Sequence, residues 1–591
     1  MKPSQAVLLN ADLLPIILSE FEENQDEMFL YLFVNKTWAA TLVRLLWKAP
    51  IWNSPRSYKS FLRTLKRSNV TFAYGKLIRR LVFEPIKNRE QPSFANEDLK
   101  LFSTKSGRLT HLTFGQTDNF FSAEAVSELV KNNQNLLGFA ATKPCYNIEW
   151  LNIALSPVIN GHCLKLSQLE IQNMRHFLIF MDYWPNGDYS DDAISQTRNL
   201  IKEIGFKCPI FALDINVHID DEMANMIIQT FKNLKILHCE TVSCSALKIL
   251  LPYCKKLKWL SIAFSSENPT EDVQQDIGSQ FPSLDALNLF LPPHDWSPFT
   301  KALAPNQTNL RRINLFGCDS VTDEAFLPIA KNCLRLEFIG LICCQLLTDA
   351  SISVLARNVG KNLKNINICR IPKLTDVSII EIANSCHNLE KFVLESCKKV
   401  TSRSLTLLVR KCKSLTELSG DYPRIIAAKI VSTLAVQGNT KLQVLQIHSR
   451  HDPDSNILEG KKYRRFDLGL LEKLAEKCPK LRELELKCYI TGLYPNLLIN
   501  ALYKLRNLEK LFMEPRQNQK LNREHIMKLE NHPRLKEVRF DGGCSEDAIS
   551  YIKERSKNKK GMFIHKIDKL LQLTTYIYRK SIPSYKKDRY N

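Results

Sequence analysis

The sequence predicts an α/β solenoid preceded by a small all-helical segment. Three observations carry that reading. A leucine-anchored strand pattern returns about every 26 residues. A helix start signal and a helical apolar stripe follow the clearest returns. The first 55 residues carry neither and have a helical pattern of their own.

The clearest units begin at Leu310 (LRRINLFGC), Leu336 (LEFIGLICC), Leu363 (LKNINICRI), Leu389 (LEKFVLESC) and Leu415 (LTELSG), at steps of 26, 27, 26 and 26 residues. A fixed period in the twenties with this spacing of leucines marks a leucine-rich solenoid. The alternation makes a short strand whose every second side chain faces a shared core. Twelve residues after four of these anchors stand Thr322-Asp323, Thr348-Asp349, Thr375-Asp376 and Thr401-Ser402. Their side-chain oxygens suit the unsatisfied N–H groups of a starting helix. Behind them Phe326, Ile329, Ala330 and Cys333 fall at i, i+3, i+4 and i+7. So do Ile379, Ile382, Ala383 and Cys386, and Leu405, Leu408, Val409 and Cys412. That spacing puts each set on one helix face. A unit is therefore strand, turn, capped helix, turn, and only stacking on its neighbours hides its apolar side. Weaker anchors extend the array from Ile78 through Leu109, Leu136, Leu166, Ile210, Leu234, Leu257 and Leu284, and onward through Leu442, Leu481, Leu508 and Leu535. The array then has 17 units over residues 78–540.

The 17 cysteines, with Cys343 and Cys344 adjacent, raise the question of metal or redox chemistry. No C-x-x-C occurs, so the usual zinc spacing is missing. Cys163, Cys254, Cys333, Cys386, Cys412 and Cys478 each stand three residues before an anchor, and Cys318, Cys344 and Cys397 eight after one. Nine thiols thus fill two repeat slots, where a small apolar side chain packs a tight turn. Cys343 reads as the incidental neighbour of a slot. No metal and no cofactor is expected. These slots, with the Thr-Asp pairs, resemble the cysteine-containing class of leucine-rich repeats. The resemblance implies a horseshoe with parallel strands inside and helices outside.

Two units are long. Leu166 and Ile210 are 44 residues apart, and Leu442 and Leu481 are 39 apart. The extra residues, near 181–192 and 448–466, follow the strand and precede the helix. Insertions in repeat proteins commonly carry binding contacts. In the second, Arg450, Lys461, Lys462, Arg464 and Arg465 would suit an acidic or phosphorylated target. The strand-lined face is the other expected target surface. His448 and His451 beside Asp452 read as a solvated group. Residues 545–591, with 12 Lys+Arg against 5 Asp+Glu, read as a basic cap or tail.

Residues 1–55 break the repeat. Leu13, Leu14, Ile17, Leu18 and Phe21 make one helical stripe, Phe29, Leu32 and Phe33 a second, and Trp38, Leu42, Leu45 and Leu46 a third. So much apolar surface on so short a segment calls for a partner. The segment resembles an F-box, the motif that docks a protein onto the Skp adaptor of cullin-based ubiquitin ligases. Leu9-Asn10-Ala11-Asp12-Leu13-Leu14 fits the opening, with Asp12 in the acidic place. Phe33-Val34-Asn35-Lys36-Thr37-Trp38 fits the central core, and Leu46-Trp47 the close. Asn10 stands where the family has proline, and Pro15 falls inside the first helix. Followed by cysteine-type repeats, the segment places nearly the whole chain in resemblance to the F-box/leucine-rich-repeat family. The resemblance implies adaptor contacts from Leu9, Asn10, Leu13, Leu14, Pro15, Ile17, Leu18, Phe21, Val34, Trp38, Leu46 and Trp47. It also implies a substrate receptor in a Skp–cullin–F-box ubiquitin ligase, with the chemistry in other subunits.

Composition agrees with a binding protein rather than an enzyme. Glycine is scarce, at 19 of 591 residues, and no G-x-x-x-x-G-K-[ST], H-E-x-x-H, G-x-S-x-G or EF-hand loop occurs. No apolar run is long enough for a membrane helix. The N-terminus is a poor signal peptide, so the expected location is the cytoplasm, with the nucleus as a second. Net charge is +21, a field that attracts acidic partners. Two other readings remain at this point: a plain repeat scaffold whose N-terminal helices cap the solenoid, and, less favoured, a basic nucleic-acid binder.

Overall fold

The structure is a computed structural model. It describes residue 28 and residues 32–52, 55–68, 70–83, 94–115, 121–141, 148–171, 191–265, 268–291, 294–422, 424–449, 468–490, 495–515, 521–535, 537–540, 544–557 and 563–565. The chain divides into two compact units, Met1–Leu257 and Lys258–Asn591.

Both units are leucine-rich solenoids. In the first, the strands Arg80–Phe83, His111–Phe114, Gly138–Ala141, Gln168–Ile171, Ala212–Ile219 and Ile236–Val242 pair in parallel in chain order. In the second, strands starting at Trp259, Ala286, Arg312, Phe338, Asn365, Lys391, Glu417, Val444, Glu483, Lys510, Glu537 and Phe563 do the same. A helix joins one strand to the next. Every one of the 17 anchors lies two residues ahead of a strand. None is more than 8% exposed. Phe563–His565 is a further strand beyond the predicted array. The three apolar helical sets named above are all buried.

The Thr residues cap as expected. Thr322, Thr348, Thr375 and Thr401 accept from the backbone N–H of Ala325, Ala350, Val377 and Arg403. The Asp beside each cap does something the sequence did not reveal: it reaches the next repeat. Asp349 Oδ2 accepts from Thr375 Oγ1 at 2.6 Å, and its Oδ1 accepts from the Thr375 and Ser378 N–H groups at 3.0 and 3.2 Å. Asp323 does the same for Thr348 and Ser351, and Asp376 for Thr401 and Ser404. Each carboxylate therefore ties one helix start to the following one.

The cysteines pack. Cys163, Cys254, Cys318, Cys333, Cys344, Cys386, Cys412 and Cys478 are buried, and Cys397 is half-buried. The slot three residues before an anchor also joins neighbouring turns. Cys412 Sγ donates to the Cys386 carbonyl at 3.3 Å. Where the slot holds Asn133 or Gln307, its side-chain oxygen accepts from the Leu109 or Leu284 N–H. Burial pushes the Cys333, Cys386 and Cys412 thiols up to about 12, so they stay protonated. Cys343 is not incidental. It sits in the left-handed region at φ 58°, as do Gly317, Arg370 and Ser396 in neighbouring repeats. Its N–H donates to the Cys369 carbonyl, as Gly317 does to Ile342 and Arg370 to Glu395, each at 2.9 Å. This corner turns the chain out of the strand, and glycine fills it most cheaply.

Candidate adaptor-docking and target-binding surfaces

The N-terminal site is built on the helix Lys36–Lys48. Asn35 caps it, accepting from the Trp38 N–H at 2.9 Å. Leu42 and Leu46 are buried with Met28, and Leu32, Trp38, Leu45 and Trp47 pack half-buried around them. The preceding turn leaves Phe33 and Val34 in solvent, 89% and 54% exposed. Among the expected adaptor residues, then, Val34 is open, Trp38 lies against the helix core, and Leu46 is inside it. Trp47 points toward the rest of the first unit, its ring 4.6 Å from Phe61 and 4.4 Å from Tyr74. Leu9, Asn10, Leu13, Leu14, Pro15, Ile17, Leu18 and Phe21 lie outside the described residues.

A different helix closes the first repeat. Pro55–Lys66, which the sequence reading did not assign, buries Tyr58, Leu62 and Leu65. Trp52 is buried with it, 5.0 Å from Tyr58 and 5.6 Å from Phe83 of the first strand. Phe94 and Phe102 extend the ring cluster, and Tyr58 Oη donates to Asp98 at 2.8 Å. Burial and the Asp98 charge push the Tyr58 phenol far up, so it remains a donor. A cut at residue 55 would pass through this cluster, since Trp52 belongs with the helix that follows.

The target-binding expectation falls in two places. Arg450, Lys461, Lys462, Arg464 and Arg465 lie outside the described residues, as does the stretch 181–190. The strand-lined face is described. In the second unit Ile313, Leu315, Ile339 and Leu341 turn inward and are fully buried. The alternate positions form the other face. Its central column, in register from strand to strand, reads Ser261, Asn288, Asn314, Gly340, Asn367, Val393, Ser419, Gln446 and Glu485. Gly340 makes room there, because a Cβ would sit 2.1 Å from Asn314 Oδ1. From Lys391 onward the face is rich in carboxylates. Lys391 pairs with Glu417 at 3.4 Å, Lys510 with Glu483 at 3.5 Å, and His448 lies 3.0 Å from Glu485. Glu395, 4% exposed, and Asp421 lie beside them in the register column at the strand ends.

Among the described residues no group of three or more His, Cys, Asp or Glu could hold a metal ion, and no helix is long and apolar enough to cross a membrane.

No family model matches the chain. The chain is similar to the Antagonist of mitotic exit network protein 1 of Candida glabrata, 29% identical over 109 residues, which is 17% of this chain and 20% of the relative. A Caenorhabditis elegans protein with the words RNA-binding protein in its name is 22% identical over 153 residues, 25% of this chain and 20% of that one. The chain thus spans about a fifth of the length of these curated relatives. Among solved structures, the crystal structure of the Rad7 and Elc1 complex in yeast matches with a TM-score of 0.41 and 14% identity, covering 69% of this chain and 92% of that one.

Proposed function

We propose that this chain is a non-catalytic substrate-recognition adaptor of a Skp–cullin–F-box ubiquitin ligase. The segment ending in the helix Lys36–Lys48 docks the Skp-like adaptor, and the solenoid holds a target protein. The observation that carries the reading is a division of labour. The first repeat is closed by Trp52 and the helix Pro55–Lys66. The preceding turn therefore keeps Phe33 and Val34 exposed instead of spending them on a cap. Tethering then does the work: a held target meets a cullin-recruited conjugating enzyme at high effective concentration. The carboxylate-rich strand face would take a basic stretch of the target, and the Arg450–Arg465 insertion an acidic one. The test is reconstitution. The full chain, mixed with purified Skp-like adaptor and cullin, should run as one stoichiometric complex on gel filtration. Separate elution would leave a repeat scaffold with no ligase role.

A further inference from the structure

The positive charge is scattered in the sequence, but stacking gathers part of it. Stacking brings the turns before successive strands onto one rim, where helices end and strands begin. In the second unit Asn439 N donates to the Lys477 carbonyl at 3.1 Å, Asn507 Nδ2 to the Pro479 carbonyl at 2.8 Å, and Glu537 N to the Glu509 carbonyl at 3.0 Å. These bonds join four neighbouring turns. On them Lys441, Lys477, Lys480, Arg506 and Arg534 are exposed, and among the described residues none of them forms an ion pair. Of the rim carboxylates, Glu472 pairs with Lys504 at 3.1 Å, Glu509 with Arg482 at 2.9 Å, and Glu530 accepts from Tyr551 Oη at 2.8 Å, while Glu476 is exposed. The result is a line of cations at repeat spacing, and parallel strands lie only about 4.8 Å apart.

We infer that this rim binds the phosphate backbone of a single-stranded nucleic acid, independently of the adaptor-docking reading. A protein partner would need an apolar anchor at the centre of its footprint. Between these cations the exposed residues are polar or Pro apart from Val436 and Tyr503, which stand near helix ends two repeats apart and form no contiguous apolar centre. A regular line of point charges without an apolar centre fits a regular line of phosphates, read by charge and not by base.

Five neutralised phosphates predict a salt slope of about −3.5 in log–log form, or roughly a hundredfold loss between 50 and 200 mM salt. The measurement is fluorescence anisotropy of a labelled 20-nucleotide oligo-U with the full chain. The triple variant K441E/K480E/R506E should flatten the slope by about 2. An equal charge change on the opposite edge, K373E/K398E/K399E, should leave the slope alone and controls for net charge. Polyglutamate of matched charge should compete poorly. An unchanged slope in the rim variant, which keeps the basic tail, would overturn the proposal. So would polyglutamate or anionic vesicles displacing the oligonucleotide as well as unlabelled oligo-U does.

Discussion

Removing the carboxylate of Asp349 should loosen two repeats at once. Asp349→Ala deletes the acceptor of three hydrogen bonds, from Thr375 Oγ1 at 2.6 Å, Thr375 N at 3.0 Å and Ser378 N at 3.2 Å. Hydrogen bonds to a charged group contribute about 1.5–3 kcal/mol each, but these share one partly exposed carboxylate and do not add. A total of about 2–4 kcal/mol follows, including the acid lost from the first turn of its own helix. Asp349→Asn keeps one carbonyl oxygen and should cost about half as much. Repeat arrays open locally and pass instability to neighbours, so native-state hydrogen exchange is the suitable assay. The amides of Thr375 and Ser378 and of the helix Asp376–Ser385 should exchange about 30- to 700-fold faster at those energies. A change below about threefold would refute the idea that this carboxylate couples the repeats.

The same carboxylates set an acid limit. Burial opposes the charge on Asp323, Asp349 and Asp376, but the hydrogen bonds donated by the following repeat outweigh it and hold each carboxyl below its ordinary 3.8. In the window below that value the unfolded chain binds more protons than the folded one. The stabilisation is thus full above pH 3.8 and is lost as pH falls through the lower folded values. Circular dichroism should show an acid transition that moves to higher pH in Asp349→Asn; coincident transitions would contradict the assignment. Gly340→Ala would press a Cβ onto Asn314 Oδ1, the movable end of a side chain, so its cost should stay at or below about 1 kcal/mol, read from urea unfolding. At the left-handed corner, Cys343→Gly should be neutral or stabilising, while Cys343→Val should cost about 1–2 kcal/mol more; equal stability of the two would refute the demand for a left-handed residue there.

Much of the fold was legible because a repeat prints its period on the chain. A leucine every 26 residues locates a strand, and a Thr-Asp pair locates a helix start, from local chemistry alone. What was illegible joins residues one repeat apart. The bond from Asp323 to Thr348 spans 25 residues, and nothing local distinguishes a capping Asp from a cross-repeat one. Cys343 looked incidental because its role is a backbone angle. Comparing the residue seven after each anchor, Gly317, Cys343, Arg370 and Ser396, was the available signal, and the glycine among them was the clue. The helix Pro55–Lys66 was missed because its apolar residues are mixed with four basic ones. The rim cations were visible only as net charge until stacking aligned them. At the N-terminal site the motif named Val34 and Trp38 alike; the structure separates an open residue from one packed on the helix core.

Phe33→Asp/Val34→Asp tests whether the N-terminal turn docks an adaptor. Both side chains are exposed, so the double variant should keep the solenoid's circular dichroism and melting profile, unlike a deletion of Trp47, which packs on Phe61 and Tyr74. Titration calorimetry of the full chain with purified Skp-like adaptor should show binding that weakens at least 100-fold in the variant, as burying a charge in place of an apolar anchor demands. Undiminished affinity in the variant, or no binding by the intact chain, would contradict that docking.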